Sequence, residues 1–150
     1  MEALHDAGVD FVVIGGVALT LHGSALITAD TDVMYDRTAE NVQRLATVLS
    51  ELDVRLREAP DDLPFEPDVR TLRAGQNFTF TTKYGDLDLL GQVDGVPSYQ
   101  RLRKGARRLK LGKGTVLVAE IEDLIAMKAA ASRPKDLRAL DDLEAMRRLK

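Results

Sequence analysis

Along this chain, segments whose hydrophobic and polar residues have the spacing of a β-strand alternate with segments that have the spacing of an α-helix. The run FVVIGG at 11–16 is apolar and β-branched and ends in two glycines, which predicts a buried strand and a tight turn. Residues 17–23 continue with helical spacing, and 32–36 form a second short strand. The amphipathic pattern at 38–52 predicts a helix with Thr38 at its N-cap and one apolar face made of Val42, Leu45, Val48, Leu49 and Leu52.

The second half of the chain shows shorter periodic segments. Residues 57–68 are rich in proline, which predicts a surface loop. Period-two alternation and short apolar runs predict strands at 69–72, 77–82, 86–91 and 115–119, and helical spacing predicts helices at 121–131 and 134–149. We therefore expect a single domain over residues 1–150 of the α+β class, with a mixed, mostly antiparallel sheet flanked by helices.

Composition narrows the function classes. With 45% hydrophobic and 30% charged residues the chain has the balance of a folded, water-soluble domain, and its apolar runs are too short to cross a bilayer. No secretion signal is recognisable at the N-terminus, so we expect a cytoplasmic protein without a membrane partner. Zero cysteines exclude disulfides and thiolate zinc sites, so any metal ion is expected to bind to oxygen atoms.

Charge is distributed unevenly, although the net charge is only -3. The segment RLRKGARRLKLGKG at 101–114, called the basic segment below, holds seven basic side chains and no acid, and its pattern predicts strand, turn and strand. Such a segment fits RNA phosphates, for example at a tRNA end, but it also fits the protection of a sheet edge. The absence of tryptophan disfavours recognition of single strands by base stacking.

Closely spaced acids are the main chemical signal. Asp30 and Asp32 lie in the stretch TADTDVMYD, and an extended backbone would point both to one face with Cα atoms about 7 Å apart. Two such carboxylates repel each other unless a cation lies between them, and Mg²⁺ prefers oxygen ligands of this kind. A later strand, GDLDLL, offers a third acid in Asp88 or Asp86, and Asp88 stands among leucines.

Each signal is weak when taken alone, because D-x-D pairs often cap turns and glycine pairs often only make them. Their order is more specific: a strand, Gly15-Gly16, a short helix, Gly23-Ser24, the D-x-D strand and then an acid on a later strand. In this order the segments VVIGGVALTLHGS, TADTDVMYD and GDLDLL, with EIEDLIAMKAAASRPKDL near the C-terminus, resemble the minimal nucleotidyltransferases of the DNA polymerase beta superfamily. They are most similar to the nucleotidyltransferase toxins of type IV toxin-antitoxin systems.

The resemblance implies a nucleotidyltransferase fold, an NTP substrate and Mg²⁺ as cofactor. Carried over by position, it implies an NTP site at Gly15, Gly16 and Ser24, and metal binding by Asp30, Asp32 and Asp88, with Asp86 as the other candidate for the third acid. It also implies catalytic roles for these three aspartates, for Lys128, which would reach the triphosphate, and for Asp136. A cognate antitoxin protein is an implied partner.

The chain departs from its relatives at three positions. An arginine often precedes the D-x-D in that family and a basic residue stands directly before the first acid, whereas this chain has Leu26 and Ala29. Ala139 replaces an acid that relatives tend to repeat. These departures imply either weaker binding of the triphosphate or a different phosphate ligand, such as Arg133 or Lys135.

Three functions remain open at this point. The first is Mg²⁺-dependent transfer of a nucleoside monophosphate from an NTP to a hydroxyl of RNA, tRNA or a protein. The second is the same transfer to a small hydroxylated molecule such as an antibiotic, which predicts a closed pocket rather than a basic trough. The third is a catalytically silent module that binds a nucleotide or a protein partner, and Leu26 in place of arginine favours it.

Overall fold

The computed structural model describes residues 1–23, 30–57, 59–60, 65–131 and 134–149, and for 134–139 it describes the backbone alone. In these ranges the chain forms seven strands and seven helices. The strands are β1 Phe11–Ile14, β2 Asp30–Tyr35, β3 Arg55–Leu56, β4 Asn77–Thr82, β5 Gly85–Leu90, β6 Arg107–Leu111 and β7 Gly114–Val118. The helices are α1 Glu2–Asp6, α2 Gly15–Leu21, α3 Ala39–Glu51, α4 Val69–Ala74, α5 Tyr99–Gly105, α6 Ile121–Ala131 and α7 Pro134–Arg148.

The seven strands form one mixed sheet in the order β3-β4-β5-β2-β1-β7-β6. Strand β2 pairs in parallel with β5, and β1 in parallel with β7, while the other four pairings are antiparallel. The expected α+β class with a mostly antiparallel sheet and flanking helices is confirmed. Both strands that carry the candidate acids, β2 and β5, lie inside the sheet.

The core lies between the sheet and its helices. All four residues of β1 are buried, as its continuous apolar run requires. The five apolar residues predicted for one face of α3 are all buried as well. Removing these side chains from water supplies the main force that holds α3 on the sheet.

Asn41 fixes α3 to the strand ends that flank the core. Its side chain is fully buried, and its Oδ1 accepts a hydrogen bond from the Asp10 N–H at 2.7 Å. Its Nδ2 donates to the carbonyls of Asp10 at 3.0 Å and Asp36 at 2.6 Å. One side chain thus satisfies three backbone groups next to β1 and β2, so it sets the position of both strands relative to the helix.

Two sequence predictions are wrong, and capping residues explain both. Residues 69–72 were expected to be a strand but belong to α4, because Asp68 Oδ1 accepts a hydrogen bond from the Thr71 N–H at 2.8 Å. The first part of the basic segment was expected to be a strand but belongs to α5, where Ser98 Oγ accepts from the Arg101 N–H at 3.2 Å. In both segments a local cap outweighs a weak strand pattern.

Within the described ranges, no helix is both long enough and apolar enough to span a membrane.

Candidate active site

Four aspartates share one face of the sheet where β2 and β5 run side by side. The parallel register places Asp30 opposite Asp86 and Asp32 opposite Asp88. Because directly paired residues point to the same face, and residues two apart on a strand do so as well, all four carboxylates face one side. The β2–β5 pairing thus brings together acids that are far apart in sequence, and it places Asp88 rather than Asp86 beside Asp32.

Asp32 lies at the centre of this group. Its Oδ1 is buried and has no hydrogen-bond partner among the described residues. Burial, then a side-chain hydrogen bond with Asp88 and the charges of Asp88 and Asp30, raise the pKa of Asp32 to about 7, while the charge of Lys128 opposes the shift. The repulsion between these carboxylates favours a proton on Asp32, and a cation bound at this position would relieve the same repulsion.

The glycine turn before α2 lies directly against Asp32. Gly15 has φ +68°, a left-handed conformation that favours glycine, and a Cβ at this position would overlap the Oδ2 of Asp32. The strand stops before the glycine pair, as predicted, because β1 ends at Ile14 and α2 begins at Gly15. Glycine is thus required here both for the backbone turn and to leave room for the carboxylate.

Arg57, which follows β3, is a member of the site that sequence analysis missed. Its Nη2 donates to Asp88 Oδ1 at 2.7 Å and to the Phe80 carbonyl at 2.9 Å, and its Nε lies 3.4 Å from Asp86 Oδ2. Burial alone would lower the pKa of Arg57, but the hydrogen bond to Asp88 and the nearby aspartate charges raise it. Nothing in the local pattern around Arg57 marks it, since only the pairing of β3 with β4 brings it near the acids.

A cleft of about 690 Å³ opens beside Asp32. Lys128 of α6 and Gly15 line it together with Asp32. The remaining wall combines apolar side chains with amides and one acid: Ile14, Leu90, Val93, Leu124, Met127 and Ala131 on the apolar side, and Gln76, Asn77, Gln92 and Asp94 on the polar side. The volume is in the usual range for small-molecule sites.

The donor set of the site suits a hard cation. Within the described ranges, no group of three or more His, Asp or Glu side chains has an arrangement that could hold a metal ion. Mg²⁺ nevertheless needs only one or two carboxylates, with water and substrate oxygens completing its shell. The buried, unpartnered Oδ1 of Asp32 offers one ligand, and Asp30 lies two residues away on the same face. The residues present therefore fit Mg²⁺.

Several of the predicted site residues fall outside what the structure describes. Ser24, Leu26, Ala29 and Arg133 lie outside the described ranges. Asp136 and Lys135 belong to α7, where only their backbone is described. Their proposed contacts with nucleotide stay predictions.

The basic segment lies away from the acids. Strand β6 is the last strand on its side of the sheet and is three strand positions from β2, about 14 Å at ordinary strand spacing. Arg108 and Lys110 on β6 are exposed, as are Arg103 and Lys104 on α5. None of the seven basic residues of this segment lines the cleft beside Asp32.

Comparison with known proteins finds similarity at the level of structure. No protein-family model matches the sequence, and no significant match was found among curated protein sequences. Among solved structures, the fold is similar to ANT(2")-Ia in complex with adenylyl-2"-tobramycin, with a TM-score of 0.57 at 15% identity over 99% of this chain and 90% of that chain. It is also similar to the lincosamide antibiotic adenylyltransferase LnuA bound to lincomycin, with a TM-score of 0.62 at 13% identity over 97% and 92%.

These similarities define the fold of the chain. It is a nucleotidyltransferase fold, as expected from the sequence. The first of these structures holds adenylyl-2"-tobramycin and the second is an antibiotic adenylyltransferase, whereas closeness to the toxins stays a prediction. At identities this low the likeness concerns architecture, so the chemistry must be argued from the residues of the site.

Proposed function

We propose that this protein transfers a nucleoside monophosphate from an NTP to an acceptor hydroxyl and releases pyrophosphate. The observation that carries this proposal is the position of Asp32 between Gly15 on one side and Asp88 on the other. The reaction needs a glycine turn with accessible backbone N–H groups, two acids on one strand and a third acid on the parallel strand beside it. The nucleotidyltransferase fold supports the same proposal.

Asp30 and Asp32 would hold Mg²⁺ in the proposed reaction, and Asp88 would either join them or act as the base. When bound, Mg²⁺ supplies charge neutralisation at the α-phosphate and at the leaving pyrophosphate. Gly15 and Gly16 would let phosphate oxygens approach the backbone N–H groups, with Ser24 as a predicted further donor. Lys128 would add a positive point charge next to the phosphates.

Asp88 would take the proton from the acceptor hydroxyl. The acceptor oxygen then forms a bond to the α-phosphorus, the bond from that phosphorus to the bridging oxygen of the β-phosphate breaks, and pyrophosphate leaves with the electron pair. Asp136 has a predicted catalytic role that the described backbone of α7 leaves open. NTP as donor fits a cytoplasmic location.

A label-transfer experiment tests the proposal. The protein is incubated with α-labelled NTPs, Mg²⁺ and three acceptor classes, namely tRNA, protein and small hydroxylated molecules. We expect transfer that Asp32→Ala reduces at least about 100-fold, because both the metal site and the carboxylate pair are lost. The control is Asp36→Asn, which removes an acid directly after the same strand. Equal transfer by Asp32→Ala and the wild-type protein would refute the assignment.

The acceptor has two candidates, each favoured by a different observation. The exposed cations of α5 and β6 favour RNA, because clustered lysine and arginine bind phosphates of any sequence. The cleft beside Asp32, with its apolar and amide walls, favours a small hydroxylated molecule. We rank the small molecule first, because its cleft adjoins the acids and the basic segment does not.

A toxin-like role and a silent binding module remain alternatives with their own tests. If the protein is a toxin with a cognate antitoxin, its expression should arrest growth and Asp32→Ala should abolish the arrest. If it binds nucleotide without turnover, calorimetry with ATP, GTP, CTP and UTP should show binding where the label-transfer experiment shows no product.

A further inference from the structure

The side chain of Arg57 reaches across a whole strand to meet the acids. Its own backbone N–H donates to the Thr79 carbonyl of β4 at 3.0 Å, so the residue is fixed beside that strand. The guanidinium then passes β4, hydrogen-bonded to the Phe80 carbonyl, and ends between Asp86 and Asp88 of β5. The planar guanidinium of arginine carries several N–H donors and can contact these acceptors at once. A lysine ammonium cannot reproduce this arrangement of donors.

This contact involves the acid that is placed next to Asp32. One oxygen of Asp88, Oδ1, accepts a hydrogen bond from Arg57, and the parallel register places Asp88 directly opposite Asp32. The contact with Arg57 therefore restricts the rotation of the Asp88 side chain. The Arg57 and Asp88 side chains are only 23% and 20% exposed, so this pair is shielded from water more than an ordinary surface ion pair.

The geometry points to Arg57 as the positioning residue of the third acid and the built-in counter-ion of the aspartate group. This inference rests on the proposed function, since it assigns Asp88 a part in the reaction. Two effects follow from one side chain. The positive charge of Arg57 offsets the repulsion among the carboxylates and so competes with an arriving metal ion, and its hydrogen bond orients Asp88 for the acceptor hydroxyl.

The two effects predict opposite changes when Arg57 is replaced. In Arg57→Gln the competing charge is gone, so the affinity for Mn²⁺ in the absence of NTP should rise at least about threefold. Asp88 loses its orientation, so kcat should fall about 10–100-fold, as is usual when a group supporting a metal-site ligand is removed, with the KM for NTP little changed. A merely structural ion pair would not raise metal affinity while lowering turnover.

A second variant separates charge from geometry. Arg57→Lys keeps the positive charge but loses the planar guanidinium. Its Mn²⁺ affinity should therefore stay near that of the wild-type protein, while its kcat should be reduced as in Arg57→Gln. Arg55→Gln is the matched control, because it removes the same charge from an exposed position on β3. It should change neither quantity more than about twofold.

The test measures Mn²⁺ binding by electron paramagnetic resonance on the full chain, beside steady-state label transfer. Unchanged or weaker Mn²⁺ binding by Arg57→Gln, or unchanged kcat, would overturn the inference. A wild-type protein that binds Mn²⁺ but transfers nothing would instead refute the proposed function, and the Mn²⁺ result for Arg57→Gln would still decide the counter-ion role.

A metal-free measurement gives a further independent readout. In EDTA, Arg57→Gln should lower the melting temperature because Asp88 is left among other acids, and adding Asp88→Asn to that variant should restore most of the loss. If the two substitutions act additively, Arg57 is not the counter-ion of Asp88.

Discussion

At the residue scale, the chemistry of this protein depends on the crowding of Asp32. A buried carboxyl group with two acids beside it keeps its proton to a much higher pH than an exposed one, unless a cation replaces that proton. Gly15 packs against the same carboxylate and leaves no space for a side chain of its own. The proton, the proposed metal ion and the glycine backbone would therefore share a single small volume.

The raised pKa of Asp32 predicts a pH-dependent stability. Between pH 3.8 and about 7 the folded protein holds a proton that the unfolded chain has released, so without metal the free energy of unfolding should fall across this window. The loss should be on the order of a few kcal/mol. Urea denaturation in EDTA at pH 5 and pH 8 measures it, and Asp32→Asn should remove most of the slope. A slope that survives in Asp32→Asn would show that another group carries it.

The pH dependence should respond to metal ions. Added Mg²⁺ is expected to stabilise the protein more at pH 8 than at pH 5, because the cation competes with the proton for the same carboxylate. The same denaturation series with Mg²⁺ in place of EDTA measures this difference. Equal stabilisation at both pH values would argue against metal binding at Asp32.

Gly15→Ala should separate backbone strain from the space that the carboxylate needs. The left-handed backbone alone should cost about 1–2 kcal/mol in the free energy of unfolding. The control is Gly112→Ala, since Gly112 has a similar φ of +58° and its Cβ would meet only the exposed Glu2 side chain. Both variants should lose stability in urea denaturation, but only Gly15→Ala should also lose nucleotidyl transfer. Full activity in Gly15→Ala would contradict the close packing against Asp32.

At the scale of elements, α3 is the support on which β1 and the acid-bearing β2 are aligned. Asn41→Ala removes all three hydrogen bonds of that side chain, so the partly buried Asp10 N–H and Asp36 carbonyl lose this partner, while the Asp10 carbonyl still accepts from the Asp36 N–H at 3.1 Å. We expect a loss of about 2–3 kcal/mol in the free energy of unfolding. Chemical denaturation measures it, and Gln43→Ala on the exposed face of α3 should stay within about 0.5 kcal/mol of the wild-type protein. An equally small change in Asn41→Ala would show that α3 is held mainly by its apolar face.

The elements also show what the sequence could predict. The glycine turn, the D-x-D strand and the apolar face of α3 follow from local patterns, because each is set by residues near one another in the chain. Helix α4 does not follow from its local pattern, because the N-cap at Asp68 stabilises a helix in a segment with a strand-like sequence. Arg57 could not be found this way, since its role depends on β3 pairing with β4 and on β4 pairing with β5.

At the scale of the whole molecule, the position of the cleft predicts how transfer should depend on salt. Because β6 of the basic segment lies at the edge of the sheet, three strand positions from the acid-bearing β2, we expect transfer to a small acceptor to change less than about twofold between 50 and 200 mM salt. An RNA acceptor that neutralises several phosphates on α5 and β6 would instead lose affinity steeply over this range. Measuring KM for both acceptor classes at the two salt concentrations tests the ranking, and efficient, steeply salt-dependent transfer to RNA would reverse it.

The interior position of β2 and β5 restricts how any acceptor can approach. Strand β5 has β4 and β2 as neighbours, and β2 has β5 and β1, so neither strand lies at an edge of the sheet. We expect a reacting hydroxyl to approach Asp32 from above the face of the sheet, through the cleft that Gly15 and α6 border. A group that projects, such as the 3′ terminus of a strand, an extended side chain or a compact free molecule, is therefore the kind of acceptor that we expect at the proposed site.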